Sequence, residues 1–266
     1  MIEELYDRVE TDTSKDELMI LSENLPKPIV ILGGWAVYLT VNELFEEENG
    51  STYLGSRDVD VGFHIDLEIS QEKLSETNFA KAQEILRSIG YIPIGTSRFC
   101  KIIHRITKKV LSEEEAGLIP PYDLFYLYVD PIVDQIHPNH YEIFSIKPID
   151  EPILARAFKD NLFTKIRIDG VEILLPKPHI LIATKLKAYP DREKEDKKIK
   201  DACDLYALLW YSPIDFRDLV FIMKTEYSEL CNNVKEILQN TIANKAARHL
   251  GIESETFIGV LEQLVI

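Results

Sequence analysis

The chain of 266 residues is long enough for one large domain or two domains of modest size. With 45% hydrophobic and 28% charged residues it has the composition of a globular protein, which excludes the disordered, collagen-like and disulfide-rich classes. The net charge of −15 argues against broad, sequence-independent binding to nucleic acid, because such binding depends on Lys and Arg neutralising phosphates.

Three features of the sequence favour a cytoplasmic protein without membrane contact. The first ten residues, MIEELYDRVE, are acidic and amphipathic, whereas a signal peptide is basic and then apolar. No run of about 18 apolar residues occurs, so we expect no membrane span. The three cysteines are few, odd in number and far apart, which favours reduced thiols.

The first elements in chain order are an amphipathic helical region, a short apolar strand and a second helix. Pro26 and Pro28 end the first helical pattern, and Gly33-Gly34 forms the turn after the strand. The periodicity predicts helix over 3–24, strand over 29–32, helix over 35–45 and an acidic loop over 46–51.

The rest of the chain alternates strands and helices up to residue 175 and is then almost entirely helical. We expect a helix over 75–90, with Ser75 as N-cap and Gly90 at its end. Strands are predicted at 58–65, 91–95, 100–107, 123–136, 141–146, 163–168 and 171–175, and helices at 179–188, 194–211, 213–224 and beyond. The predicted fold class is α/β (α+β), with a mixed sheet flanked by helices in a domain over 1–175 and a helical C-terminal domain over 176–266.

The charge is unevenly distributed along the chain. Residues 1–80 carry 18 acids against 5 bases, whereas residues 156–201 carry 12 bases against 8 acids. Because the basic segment is local, we expect it to hold a small anion such as a nucleotide more readily than a long polymer.

The first candidate site is the strand–Gly33-Gly34–helix junction. Two glycines allow the backbone to approach a phosphate closely, and the amides at the helix start are hydrogen-bond donors. Taken alone, the same residues also fit a plain tight turn. The further glycines of a Rossmann motif and the Gly-Lys-Ser/Thr ending of a Walker loop are absent.

The second candidate site is Asp58-Val59-Asp60. Two carboxylates at positions i and i+2 of a strand share a face, roughly 6.6 Å apart. Such a pair offers the hard oxygen ligands that Mg²⁺ prefers when it holds a triphosphate. A calcium-binding EF-hand is excluded, since Phe63 stands where its glycine is required. The alternative interpretation is the solvated face of an edge strand.

Together, the segments GGWAV (33–37) and SRDVDV (56–61) resemble the polymerase-beta-like nucleotidyltransferase superfamily, and GGWA is most similar to the aminoglycoside and lincosamide nucleotidyltransferases. The spacer from Trp35 to Arg57, at 23 residues, is longer than usual, and Leu54 replaces a frequent Arg. The resemblance implies Asp58 and Asp60 as catalytic, Mg²⁺-binding residues. It also implies that Gly33, Gly34 and Ser56 bind the phosphates of a nucleoside triphosphate.

The superfamily usually has a third carboxylate on a neighbouring strand. Asp130 follows the strongest β-pattern, over 125–129, and is the first candidate for a third catalytic acid and metal ligand. Asp134 shares its face by parity and is the second candidate, and a site without a third acid is the remaining alternative.

The helical region resembles the abortive-infection type nucleotidyltransferase toxins in the segments TKLKA (184–188), DR (191–192) and KDACDL (200–205). This resemblance implies that Lys185 and Lys187, expected to lie near one another, neutralise triphosphate charge. Lys200 and Asp204, at i and i+4, share one helix face. A solvated, salt-bridged helix surface is the alternative.

These patterns predict an Mg²⁺-dependent nucleotidyltransferase that moves a nucleoside monophosphate to a hydroxyl, phosphate or RNA-end acceptor and releases pyrophosphate. The acceptor stays open between a small molecule, tRNA and a protein, as do the donor base and the oligomeric state. The first alternative is a catalytically silent nucleotidyltransferase-like module that binds a nucleotide or protein, such as a toxin–antitoxin component. The second is a purely structural protein. Arg98, Lys101 and Arg105 either face a substrate or lie on an exposed strand surface.

Overall fold

The computed structural model describes residues 5–144, 146–239 and 241–265. This part of the chain divides into two compact units. The sheet unit contains residues 6–35 and 55–176, and the helical unit contains Leu5 with residues 36–54 and 177–265. The division of the sequence into domains 1–175 and 176–266 stays a prediction.

The sheet unit is built on one mixed sheet. Within the described residues its strands are β1 (Val30–Leu32), β2 (Val59–Phe63), β3 (Ile92–Ile94), β4 (Arg98–His104), β5 (Val110–Leu111), β6 (Leu124–Val133), β7 (Ile149–Asp150), β8 (Phe163–Ile168) and β9 (Val171–Pro176). Their order is β3-β4-β6-β2-β1-β9-β8, with β5 beside β4 and β7 beside β6. Most pairs are antiparallel, but β2–β6, β1–β9 and β6–β7 are parallel. The central strand β1 is fully buried, which explains its unbroken apolar sequence.

Helices accompany this sheet. They are α1 (Arg8–Asn24), α2 (Gly33–Asn49), α3 (Gln71–Leu74), α4 (Asn78–Ser88), α5 (Glu113–Ala116), α6 (His140–Phe144) and α7 (Ile153–Lys159). Asp7 caps α1 by accepting a hydrogen bond from the Val9 amide. The division between the two units falls within α2, after Trp35.

The helical unit has its core around one long helix. Its helices after residue 176 are α8 (Pro178–Ala188), α9 (Glu195–Tyr211), α10 (Phe216–Glu226), α11 (Ser228–Cys231), α12 (Val234–Leu238), α13 (Ile242–Leu250) and α14 (Ser254–Glu262). Residues 199–209 of α9 are all buried, because α8, α13 and α14 pack around it. The predicted fold class, a mixed sheet flanked by helices and followed by a helical C-terminal region, is confirmed.

None of the helices in the described ranges is both long enough and apolar enough to cross a membrane.

The predicted loop over 46–51 is wrong for its first four residues. Helix α2 continues to Asn49, and Gly50 ends it with a φ of +67°. Phe45 is buried one position before the acidic run, and Asn49 donates a side-chain hydrogen bond to the Phe45 carbonyl. The buried side of the helix therefore decides its length, whereas the solvent-facing acids only resemble a loop in composition.

Two further boundaries differ from the predictions. The strand predicted over 141–146 is wrong, since His140–Phe144 forms α6; residue 145 lies outside the described residues, as do residues 3 and 4 of the predicted first helix. The helix predicted over 75–90 begins at Asn78, and its N-cap is Thr77 instead of Ser75.

Candidate functional site

At the start of α2 the backbone of Gly33 packs closely against the Asp60 carboxylate. Gly33 follows β1 directly and has a φ of +59°, in the left-handed region that favours glycine. A Cβ atom at Gly33 would lie 1.7 Å from Oδ2 of Asp60, so no side chain fits there. Trp35 fixes the beginning of the helix by donating from its indole nitrogen to Ser14 Oγ, at 2.9 Å. Because the first amides of a helix lack intrahelical partners, they are donors beside Asp60.

The sheet register places two aspartates side by side. Strand β2 pairs with β6 in parallel, and Asp60 lies directly opposite Asp130. Asp58 comes one residue before β2, two positions from Asp60, and is half-buried like Asp60. Neighbouring strands lie about 4.8 Å apart. The register therefore groups Asp130 with Asp58 and Asp60, as the first sequence alternative proposed.

Arg98, at the start of β4, is the counter-ion of this group. Its Nε and Nη2 atoms donate to the two carboxylate oxygens of Asp130, each at 2.8 Å, and Nη2 lies 3.8 Å from Asp58 Oδ2. The guanidinium also covers the Tyr128 ring, at 4.2 Å from its centroid. Burial disfavours the charged guanidinium, but the hydrogen bonds and charge of Asp130 outweigh burial and raise the pKa of Arg98. Arg98 is therefore a permanently charged member of the site.

The two other sequence candidates near this group have different contacts. Ser56 donates its hydroxyl hydrogen bond to the Asp58 carbonyl, at 3.1 Å, and so supports the backbone of Asp58. Asp134 does not join the carboxylate group. It follows the last residue of β6, four positions after Asp130, and its Oδ2 atom is 2.5 Å from Nδ1 of His64.

The carboxylate group does not form a three-ligand metal centre in its present arrangement. Within the described ranges, no cluster of three or more His, Cys, Asp or Glu side chains is placed to hold a metal ion. At this site both oxygens of Asp130 accept hydrogen bonds from Arg98. Asp58 and Asp60 are both half-buried at the beginning of β2, and Asp58 also lies 3.8 Å from Arg98.

Lys185 and Lys187 belong to the helical unit and lie on different sides of α8. Lys185 is buried, with its ammonium 2.6 Å from Asp201 and 2.7 Å from Asp204, whereas Lys187 is exposed. The expectation that the two lysines lie near one another is wrong, because residues two positions apart in a helix do not share a face. Burial disfavours the Lys185 ammonium, but the two aspartates outweigh burial and raise its pKa.

The predicted pairing of Lys200 with Asp204 is present, but it is buried and not part of a solvated surface. Tyr53 donates to the same Asp204 carboxylate at 2.8 Å, and Arg192 pairs with Asp201 at 2.7 Å. Burial outweighs the attraction of Asp204 and lowers the pKa of Lys200. These contacts are those of a buried structural network.

One alternative from the sequence placed Arg98, Lys101 and Arg105 on an exposed strand surface, and this alternative is wrong for β4, whose inner residues are buried. Lys101 is buried and pairs with Glu17 at 2.8 Å, and Arg105 pairs with Asp7 at 3.1 Å. Among Arg98, Lys101 and Arg105, the contacts of the described residues place Arg98 at the carboxylate group. Sequence reasoning named Arg98 but gave it no partner, since its pairing with Asp130 depends on the β4–β6 register.

No family model matches the sequence, and no curated protein matches it. Among solved structures, the chain is similar to an antigenic nucleotidyltransferase-like protein from Paracoccidioides brasiliensis, with 16% identity and a TM-score of 0.45 over 95% of this chain and 97% of that one. It is also similar to the Megavirus polyadenylate synthase, with 16% identity and a TM-score of 0.30 over 87% of this chain. The match spans 38% of the synthase. At these scores the two structures assign no activity to this chain.

Proposed function

We propose that the chain is a nucleotidyltransferase, which transfers a nucleoside monophosphate from a nucleoside triphosphate to an acceptor and releases pyrophosphate. The observation that carries the proposal is the juxtaposition at Gly33: a glycine-initiated helix start touches Asp60, and Asp60 faces Asp130 across parallel strands. Acidic groups beside backbone donors suit phosphoryl transfer, since this chemistry depends on positioning and on charge compensation.

Mg²⁺ is the cofactor that the donor set of this site favours. In phosphoryl-transfer sites Mg²⁺ is commonly held by one or two carboxylates together with substrate phosphates. Asp58 and Asp60 fit that description, whereas Asp130 does not while Arg98 engages both its oxygens. Bound with the triphosphate, the ion would supply positive charge against the phosphate oxygens.

The remaining residues of the site have roles that follow from their contacts. Gly33 and Gly34 present backbone amides to the phosphates without a side chain in the way. Asp130 positions Arg98, whose guanidinium lies 3.8 Å from Asp58 and compensates the carboxylates before substrate binds. If Arg98 exchanges Asp130 for a substrate phosphate, with which a guanidinium forms two hydrogen bonds, Asp130 becomes available as third metal ligand or general base. Ser56 holds the Asp58 backbone in place.

We do not assign a phosphate contact to Lys185, because Asp201 and Asp204 hold its ammonium in a buried position. The part of Lys187 in nucleotide binding stays a prediction of the sequence resemblance. The acceptor, whether small molecule, tRNA or protein, is the finer question that the experiment below addresses.

The second candidate function is a catalytically silent module that binds a nucleotide or a protein partner. The Arg98–Asp130 pair favours it, because a guanidinium that stays on Asp130 denies the site its third carboxylate. In an active enzyme Arg98 leaves Asp130 or works beside it, whereas in a silent module the pair is permanent.

The deciding experiment measures transfer of label from nucleoside triphosphates radiolabelled on the α-phosphate, incubated with the protein, Mg²⁺ and cell extract. We expect label on one class of acceptor, and a loss of about 100-fold or more in Asp58→Asn and Asp60→Asn, since both remove charge that the metal requires. The matched control is Asp169→Asn, which makes the same change at an exposed turn with a positive φ that Asn tolerates.

Circular dichroism and thermal melting show whether each variant is folded. Full label transfer by a folded Asp58→Asn or Asp60→Asn variant contradicts the assignment. If the wild-type protein binds nucleotides but transfers label from none of the donors, the silent module is the correct function.

A further inference from the structure

A histidine–aspartate pair lies at the carboxyl ends of β2 and β6. His64 follows the last residue of β2, and Asp134 follows the last residue of β6. Because a carboxylate only accepts, Nδ1 of His64 donates to Asp134 Oδ2, at 2.5 Å, and the Ile65 amide donates to Oδ1, at 2.9 Å. The Asp134 side chain is fully buried, whereas 53% of the His64 side chain is exposed.

The pair fixes the orientation of the imidazole ring. One ring nitrogen is bound to a buried carboxylate, so the other, Nε2, is the nitrogen that remains for a ligand. Within the described part of the chain, Nε2 of His64 makes no hydrogen bond. The exposed edge of the ring is thus a preoriented polar group.

This edge opens into a cavity of about 740 Å³ that residues of α7 line on one side. Arg156 and Lys159 are exposed, and their i, i+3 spacing places them on one face of α7. Asp160 is 3.5 Å from Arg156 and balances part of its charge. The Phe158 ring lies 5.3 Å from the His64 ring, and Gln135 completes the lining. The volume is within the ~300–1,000 Å³ of small-molecule sites.

The cavity is separate from the carboxylate site. Asp60 is near the beginning of β2 and His64 is beyond its end, so four residues of extended chain, about 13 Å, separate them. The carboxyl ends of parallel strands are the usual place for ligands in α/β sheets. Arg156 and Lys159 are also the first two bases of the segment 156–201, the basic part of an otherwise acidic chain.

We propose that this cavity binds a small phosphate-bearing molecule with a sugar ring. Arg156 and Lys159 face the phosphate, since a guanidinium fork and an ammonium are the side chains that bind phosphate best. Nε2 of His64 accepts a hydrogen bond from a hydroxyl of the sugar, and Phe158 packs against the ring. The site does not depend on the transfer reaction proposed above.

The test is an NMR titration of the whole 266-residue chain carrying isotope-labelled histidine, with ribose 5-phosphate as the probe. The His64 ring signals are identified by their loss in His64→Gln. We expect saturable shifts of these signals with a Kd in the millimolar range or tighter. Lys159→Ala, which leaves the His64–Asp134 pair intact, weakens binding by about fivefold or more. Lys165→Ala on β8 removes an equal charge outside the cavity and leaves the Kd unchanged.

Three outcomes overturn the proposal. The first is the absence of saturable His64 shifts at millimolar ribose 5-phosphate. The second is an equal response to unphosphorylated ribose, which removes the phosphate from recognition. The third is loss of binding in the Asp58→Asn, Asp60→Asn double variant, which would mean that the probe binds at the carboxylate site and not in the cavity. Retained binding in that variant supports a separate cavity, whatever the transfer assay shows.

Discussion

Gly33 and Gly95 share a left-handed backbone with a φ of +59°, but their surroundings differ. A Cβ atom at Gly33 meets the Asp60 carboxylate, whereas a Cβ atom at Gly95 has no heavy atom within 4 Å. The pair therefore separates backbone strain from steric contact with the candidate site.

We predict that Gly95→Ala lowers the free energy of unfolding by about 1–2 kcal/mol, the cost of a left-handed non-glycine residue. Gly33→Ala carries the same strain and must also displace Asp60, so we expect a loss at least ~1 kcal/mol larger. Chemical denaturation of the two variants measures both values. Equal losses mean that the Asp60 carboxylate moves aside freely and that contact with it does not require glycine.

The identity of the site residues was readable from sequence only where the contact is local. Asp58 and Asp60 are two positions apart at the beginning of β2, so their proximity follows from the sequence alone. The Arg98–Asp130 ion pair joins residues 32 positions apart, and nothing in either segment specifies the register of β4 on β6. Parity left Asp130 and Asp134 equivalent, and the structure separates them by placing His64 beside Asp134.

At the scale of elements, α8 and α9 carry a buried ion network with Lys185 at its centre. Lys185 contacts Asp201 and Asp204, and its side chain is 10% exposed. Removing one partner of a buried pair leaves an uncompensated charge, which is far more costly than losing a surface charge.

We predict that Lys185→Met lowers the free energy of unfolding by about 3–5 kcal/mol. Lys187→Met, two residues along the same helix but exposed, changes it by about 0.5 kcal/mol or less. Urea denaturation followed by circular dichroism gives both numbers. If both variants lower the free energy of unfolding by similar, small amounts, Lys185 is not part of a structural network and lies on the solvated helix surface.

Element boundaries followed from sequence where an apolar pattern was complete. Strands β8 and β9 and helix α9 lie within two residues of their predicted limits. The strand predicted over 141–146 was wrong for a physical reason: Tyr141, Ile143 and Phe144 are apolar residues at a spacing that fits a strand or one turn of helix. The Phe144 ring also packs on Phe79 of α4, and this contact is not local in sequence.

At the scale of the molecule, the three thiols test the packing of both units. Cys100 is buried in the sheet unit, and Cys203 and Cys231 are buried in the helical unit. Burial raises the pKa of Cys100 to about 11 and raises the pKa of the other two thiols. Thiolate, the reactive form, is therefore scarce as well as inaccessible.

We predict that the disulfide reagent dithiobis(nitrobenzoate), at pH ~8 near the free-thiol pKa, modifies less than one thiol per native chain over minutes. All three thiols of the sequence react once guanidinium unfolds the protein. The unfolded sample is the internal control for reagent and concentration. Rapid modification of two or more thiols in native protein means that one unit opens far more often than its packing implies.

The pairing of Asp60 with Asp130 is set by the parallel backbone hydrogen bonding between β2 and β6. A one-residue slip of β2 against β6 would turn every side chain of β2 to the opposite face and separate the acids. The same slip would separate His64 from Asp134, because both pairs depend on the register of β2 on β6. The register of β2 on β6 therefore places both pairs at once. A change in that register would disturb both candidate sites together, the acids near the beginning of β2 and the imidazole beyond its end.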